Sequence, residues 1–130
     1  MVCAETSFII ALERREKGAI EKMREIEERA DTVYVTAITV AELYHGAYIS
    51  KDRARALKDS EELLGRFAIL NLDYESGRIW GQLAASMRSN GIGDRDLFIA
   101  SIAIANRQTL ITKNKKHFER IAGLDVEGWE

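Results

Sequence analysis

A single cysteine and the absence of long apolar runs exclude several classes of protein. Cys3 has no partner in the chain for a disulfide and supplies too few ligands for a cysteine-based zinc site. No stretch approaches the roughly 18 apolar residues of a membrane-spanning helix. The chain also begins without the basic start, apolar stretch and cleavage site of a signal peptide. We therefore expect a cytoplasmic protein.

The charge balance excludes a generally basic surface. Nineteen Lys and Arg residues oppose twenty-one Asp and Glu residues, for a net charge of −2, so the whole chain has no field to hold nucleic acid non-specifically. Two segments, residues 51–58 and 113–120, each carry four basic side chains and one acidic one. Either is able to hold a nucleic-acid backbone, although a solvated helix face explains the first equally well.

Length and composition predict one folded domain over residues 1–130. The chain is 46% hydrophobic with charges of both signs, unlike a disordered chain. A chain of this size buries roughly 65–70% of its unfolded surface. No repeat, low-complexity tract or linker divides it.

Short apolar segments alternate with longer amphipathic ones. The strand candidates are Val2–Ala4, Val33–Thr36, Phe67–Leu70 and Thr109–Thr112, with an edge strand near residues 123–126. Helical spacing between them predicts two helices in residues 7–29 joined near Gly18, a helix ending at Asn90 and Gly91, a buried helix over Leu97–Ala105 and a last one over Lys115–Ile121. This alternation predicts an α/β fold with three α/β/α layers and a central parallel sheet of four to five short strands.

Polar residues follow the predicted strands or begin the next helices. Glu5 follows the first strand, Glu42 lies early in the helix after the second, and Asn114 comes just past the fourth. Asp94 and Asp96 begin the buried helix. Because ligands of open α/β sheets collect outside the carboxyl ends of the strands, we expect these side chains to converge there.

Converging carboxylates favour a particular chemistry. They repel one another unless a cation lies among them or some are protonated. Oxygen ligands without cysteine or paired histidines suit Mg²⁺ or Mn²⁺ better than zinc. Such an ion polarises a phosphate oxygen and lowers the pKa of a bound water. The pattern therefore predicts a metal-dependent nuclease.

Each of these residues also has a structural explanation. Thr39 and Glu42 have the spacing of a capping box. Asp94 and Asn114 suit helix N-caps, and a helix dipole favours acids throughout the first turn. Glu5 is compatible with a solvated loop carboxylate. On this interpretation the chain is a small α/β signalling or ligand-binding domain.

Four segments in chain order carry a family resemblance. They are Glu5 to Ile9, similar to an Asp-Thr-Ser-x-Ile pattern; Ile38 to Leu43 with Gly46 and Ala47; Asp96 to Ala100; and Leu110 to Asn114 continuing through His117, Phe118, Ile121, Gly123, Leu124 and Trp129. Together they resemble the PIN-domain ribonucleases and, within them, the VapC-type toxins of prokaryotic toxin–antitoxin pairs.

The resemblance implies a PIN-like α/β/α domain that forms a homodimer, is inhibited by a cognate antitoxin protein and cleaves RNA endonucleolytically with Mg²⁺ or Mn²⁺. It also implies a site, with Glu5, Glu42 and Asp96 as metal ligands and with Asn114 and Thr6 among the catalytic residues. Asp94 is an additional catalytic candidate that the family pattern does not require, because its carboxylate is able to reach the site through a water.

The sequence departs from the family pattern at Glu5, where Asp is usual. The extra methylene moves the carboxylate by roughly 1 Å or more, and Mg²⁺ tolerates little departure from octahedral geometry. Two functions therefore stand side by side: an active toxin-type endoribonuclease, and a catalytically weak or inactive PIN-like module that keeps the antitoxin or partner surface.

The histidines and tryptophans are interpreted as structural. His45 and His117 are too far apart in sequence to suggest a zinc pair, and we expect surface or helix-packing roles for both. Trp80 and Trp129 lie in or near apolar segments, which favours packing over base stacking.

Overall fold

Five short parallel strands form the centre of the protein. The computed structural model describes residues 1–87 and 91–129, and its strands are β1 Val2–Ala4, β2 Val33–Thr36, β3 Ala68–Leu70, β4 Thr109–Ile111 and β5 Val126–Glu127. They lie in the order β3-β2-β1-β4-β5, so β1 occupies the middle of the sheet. All four pairings are parallel. The predicted parallel sheet is confirmed.

Helices form the crossovers that parallel strands require. Within the described ranges they are α1 Thr6–Glu13, α2 Lys17–Glu28, α3 Ala37–Tyr48, α4 Arg53–Leu64, α5 Tyr74–Ser86, α6 Asp94–Ala105 and the single turn α7 Lys115–Phe118. Helices α1 to α4 pack against one face of the sheet, and the later helices pack against the other face.

Two apolar cores lie on opposite faces of the sheet. Val2 and Ala4 of β1 belong to the core formed with α1 to α4, where Phe8 is fully buried. Cys3 lies between them in sequence and joins the opposite core with Leu97 of α6. Successive side chains of a strand point to opposite faces, which explains why both faces of β1 are apolar. The predicted α/β/α layers are confirmed.

The break between the first two helices occurs without a glycine. Arg15 has a left-handed backbone, φ 57. The N–H of Arg15 donates to the carbonyl of Leu12 at 3.0 Å, and the N–H of Glu16 donates to the carbonyl of Ala11 at 3.0 Å. These two bonds close α1 as a Schellman motif. Gly18 lies inside α2. The prediction of a joint near Gly18 was therefore misplaced.

Other boundaries differ from prediction by a few residues. Strand β3 begins at Ala68, β4 ends at Ile111, and α7 ends at Phe118. Helix α5 ends at Ser86, and the predicted end at Asn90 lies outside the described residues. In the described part of the chain, no helix combines the length and apolar character that crossing a membrane requires.

Candidate active site

The register of β1 and β4 brings Glu5 beside Thr112. Ala4 pairs with Ile111, so the residues that follow them meet at the carboxyl edge of the sheet. Glu5 Oε1 accepts hydrogen bonds from the hydroxyls of Thr112 at 2.5 Å and Ser7 at 2.7 Å, and Oε2 accepts the Ser7 N–H at 3.0 Å. Glu5 is only 4% exposed. It is thus a buried, fully hydrogen-bonded carboxylate and the N-cap of α1, and the solvated-loop explanation is wrong.

Glu5 also affects the thiol two residues before it. Burial, with the negative charge of Glu5 added, raises the pKa of Cys3 to about 12. Both causes disfavour a thiolate, because burial removes its hydration and a like charge repels it. Cys3 therefore acts as a small buried apolar side chain rather than as a nucleophile.

A chain of threonine hydroxyls joins the end of β2 and the start of α1 to α3. The Thr6 hydroxyl donates to Glu42 Oε1 at 2.8 Å, and its oxygen lies 2.9 Å from the hydroxyl oxygen of Thr39. Because Thr6 has one hydroxyl proton, it accepts from Thr39. Thr36 in turn donates to Thr39 at 3.4 Å. The hydroxyl dipoles all point towards Glu42, which orients its carboxylate.

Glu42 is not part of a capping box. The N-cap of α3 is Thr36, whose side chain accepts from the N–H of Thr39. The second oxygen of Glu42 lies 3.6 Å from Nη1 of the exposed Arg95. The structural explanation of Glu42 therefore fails, and its carboxylate is available for other contacts.

Glu42 and the start of α6 line one open cleft of about 470 Å³, together with Gly93, Asp94, Arg95 and Asp96. The N-cap of α6 is Gly93, so Asp94 is not the cap that one interpretation assigned it. Three carboxylates and one guanidinium face this cleft. Its local charge is consequently negative.

Asp96 has a partner that the sequence did not suggest. Its Oδ2 lies 2.9 Å from Nε2 of His117 in α7. Asn114 is the N-cap of α7 but makes no side-chain cap hydrogen bond. Its N–H bonds to the Thr112 hydroxyl at 3.0 Å, which links it to the Glu5 network.

Sequence reasoning missed the side chains that hold the acids. Ser7 and Thr112 bind Glu5, Thr39 acts on Glu42 through Thr6, and His117 binds Asp96. Ser7 and Thr39 lie within three residues of Glu5 and Glu42 in sequence, but Thr112 and His117 are 107 and 21 residues from the acids they bind, so sequence proximity does not reveal them.

The acids do not form one compact cluster. Among residues 1–87 and 91–129, no three acidic, imidazole or thiol side chains are grouped closely enough to hold one ion. Glu5 is buried in its own network, whereas Glu42 and Asp96 share the cleft. Mg²⁺ commonly keeps several waters and binds one or two carboxylates together with substrate phosphates. The oxygen donors of the cleft fit that mode of binding.

Known proteins resemble this chain over its length. The PIN domain model matches residues 2–124. Ribonuclease VapC2 of Rickettsia felis is 33% identical over 108 residues, which are 82% of this chain and 81% of that protein. Ribonuclease VapC2 of Haemophilus influenzae is 31% identical over 127 residues, 96% and 95% of the two chains. In the crystal structure of VapBC2 from Rickettsia felis bound to a DNA fragment from their promoter, one chain matches at TM-score 0.90 and 28% identity over 100% of both chains. The protein accordingly belongs to the PIN-domain family, within its VapC group.

Proposed function

We propose that this chain is a divalent-metal-dependent endoribonuclease and the toxin of a toxin–antitoxin pair. One observation supports this most: Glu42 of α3 and, about 50 residues later in the chain, Asp94 and Asp96 of α6 line the same cleft. The ribonuclease names of the VapC relatives supply the substrate class.

Glu42 and Asp96 are the proposed direct ligands of Mg²⁺ or Mn²⁺, and Glu5 is the third acid of the site. A divalent ion bound there would stabilise negative charge on a phosphate and lower the pKa of an attacking water. Glu5 contributes buried negative charge and holds the ends of β1 and β4 together through Thr112. Its own two oxygens already accept three hydrogen bonds.

The other side chains orient these groups and the substrate. Thr6 directs Glu42 through its hydroxyl, and Asp94, exposed at the first residue of α6, is the proposed group that orients a water. Arg95 is 71% exposed and only loosely paired with Glu42, so it is free to turn towards a phosphodiester. Asn114 remains a proposed site residue at the same sheet edge. In the proposed reaction water attacks phosphorus and the bond to the leaving ribose oxygen breaks.

The partners are part of the same proposal. Membership of the VapC group supports a cognate antitoxin protein as inhibitor and a second copy of this chain as the homodimer partner. The proposal also includes a cytoplasmic location, because RNA is the proposed substrate. Light scattering on the purified chain tests the homodimer, for which a monomeric mass is the contrary result.

Neutralising each proposed ligand tests the activity. We expect Glu42→Gln and Asp96→Asn to lower both Mn²⁺ affinity, measured by calorimetry, and cleavage of total cellular RNA by more than about 10-fold, since even outer partners of metal ligands cost 10–100-fold. Glu28→Gln is the matched control, because Glu28 is exposed on α2 and far from the cleft in sequence. Equal losses in the control, or none in either variant, would contradict the proposal.

The engagement of Glu5 favours one alternative function. Glu5 already accepts hydrogen bonds from Ser7 and Thr112. A chain whose third acid is engaged in this way is a candidate for a weak or inactive PIN-like binding module. Mn²⁺ binding without RNA cleavage by the unaltered chain would identify that module. No Mn²⁺ binding at all would leave the acids with structural roles only.

A further inference from the structure

His117 holds the carboxylate of Asp96 from outside the cleft. The two residues are 21 positions apart, yet His117 Nε2 lies 2.9 Å from Asp96 Oδ2. The imidazole is partly exposed, with 30% of its side-chain surface accessible, and Asp96 has 37%. The contact therefore lies at the rim of the cleft, where the single turn α7 meets the first turn of α6.

The ring of His117 is itself fixed by Arg120. Nη2 of Arg120 lies 3.2 Å from His117 Nδ1, and Nε of Arg120 donates to the backbone carbonyl of His117 at 3.3 Å. A guanidinium has donors but no acceptor. Nδ1 therefore accepts, which leaves the ring proton on Nε2, facing Asp96. The buried Phe118 ring packs edge-on against the imidazole, with centroids 5.2 Å apart.

This arrangement leaves half of the Asp96 carboxylate for a ligand. Oδ2 accepts from His117, and within the described residues no hydrogen bond reaches Oδ1. Asp96 lines the cleft that Glu42 also lines. A carboxylate held by one oxygen keeps its rotation fixed while its other oxygen stays available.

We propose that His117 is a positioning residue for Asp96 and that Arg120 sets the tautomer His117 needs for this role. The inference rests on the proposed function, because it takes Asp96 as a ligand of the divalent ion. Partners that orient metal ligands typically account for 10–100-fold in metal affinity or activity. The contact joins two partly exposed side chains, and substitutions at the surface usually change stability little, so the main effect of His117 falls on the ion rather than on stability.

The variants His117→Ala and His117→Gln separate positioning from simple packing. Alanine removes the donor, whereas the glutamine amide retains an N–H able to reach Asp96. Arg120→Ala removes only the group that sets the tautomer. His45→Ala is the matched control, because His45 is the other histidine of the chain and is exposed on α3. For each purified chain, Mn²⁺ affinity is measured by calorimetry and Tm by thermal unfolding.

We expect His117→Ala to bind Mn²⁺ about 10–100-fold more weakly while Tm changes little. His117→Gln should recover most of that affinity, Arg120→Ala should give a partial loss, and His45→Ala should match the unaltered chain. Unchanged Mn²⁺ affinity in His117→Ala, or no recovery in His117→Gln, would overturn the positioning role.

Two further results separate this inference from the proposed function. Ring ¹⁵N NMR of the metal-free chain should show the proton of His117 on Nε2, and a proton on Nδ1 would overturn the tautomer assignment whatever the metal does. If the unaltered chain binds no Mn²⁺, the proposed metal site is wrong and the positioning role is lost with it. Binding by the unaltered chain that His117→Ala leaves intact overturns the role of His117 alone.

Discussion

Shortening Glu5 by one methylene is the sharpest test of how this site is built. In Glu5→Asp the carboxylate withdraws towards β1 by roughly 1.3 Å, close to the projection of one C–C bond. The bond from the Ser7 N–H survives, because Asp is a favoured N-cap and Glu5 already caps α1. The bond from Thr112, 2.5 Å long in the native chain, is lost.

The structure gives a magnitude for this loss. A hydrogen bond to a charged group contributes about 1.5–3 kcal/mol. The Thr112 hydroxyl retains a weak neighbour in Ser7, 3.5 Å away, so we expect the lower value, about 1.5 kcal/mol. For a chain of this length that lowers Tm by about 6 °C. Because a misplacement of 1 Å can cost about 10²-fold in rate, restoring the usual acid should raise RNA cleavage by up to about 100-fold.

Initial rates on total cellular RNA with Mn²⁺ or Mg²⁺ measure this gain. Thr112→Val is the control, since it removes the same hydrogen bond while the side chain of Glu5 keeps its length; it also removes the acceptor of the Asn114 N–H. We expect it to lose at least as much stability without gaining activity. A turnover of Glu5→Asp that is unchanged or lower, with metal binding intact, would refute the geometric reasoning. An equal gain in RNA cleavage in Thr112→Val would show that the gain comes from losing the hydrogen bond between Thr112 and Glu5 and not from the length of the side chain.

Three further predictions concern groups away from the cleft. The pKa of Cys3 is raised to about 12, which predicts that a thiol reagent modifies Cys3 only at the rate at which the protein unfolds. Rapid modification of the folded protein would contradict the burial of Cys3. Charge reversal of Lys115 and Lys116 should lower the salt dependence of RNA binding by about 0.7 in the logarithmic slope for each phosphate that a lysine no longer neutralises, whereas an unchanged slope assigns both lysines to solvent. Burial opposes ionisation of Glu127, but hydrogen bonds from the buried Lys22 and from Arg29 outweigh it and lower the pKa of Glu127 below its ordinary 4.5. Glu127→Gln should therefore be less stable than the unaltered chain at neutral pH. Urea unfolding should show that this difference in unfolding free energy vanishes as the pH falls through the lowered pKa.

The sheet could be predicted from the sequence because its first four strands are short apolar runs, most of which contain β-branched residues. Val33–Thr36 matches β2 residue for residue, and Val2–Ala4 matches β1. Helix ends were harder to predict, because Arg15, Ala30 and Arg107 take the left-handed conformation that usually identifies a glycine. Each of the three closes its helix through the backbone hydrogen bonds of a Schellman motif, and no glycine identifies the position in the sequence.

The meeting of Glu42 and Asp96 at one cleft could be predicted, but the side chains that hold them could not. Sequence spacing places Glu42 and Asp96 at the carboxyl edge of a parallel sheet. It does not reveal that Thr6 directs Glu42 or that Arg120 fixes His117, because these contacts depend on side-chain directions across elements. Glu5 shows the same limit, since its burial follows from the register of β1 against β4.

The central position of β1 has a consequence for synthesis. Its two neighbours in the sheet are β2, some 30 residues later, and β4, more than 100 residues later. Thr112, which closes the Glu5 network, and His117, which holds Asp96, both follow β4 in the chain. Non-local pairings of this kind form late in folding. A nascent chain therefore carries Glu5, Glu42 and Asp96 before it acquires the contacts that arrange them, and the proposed site is not complete until β4 and α7 have been made.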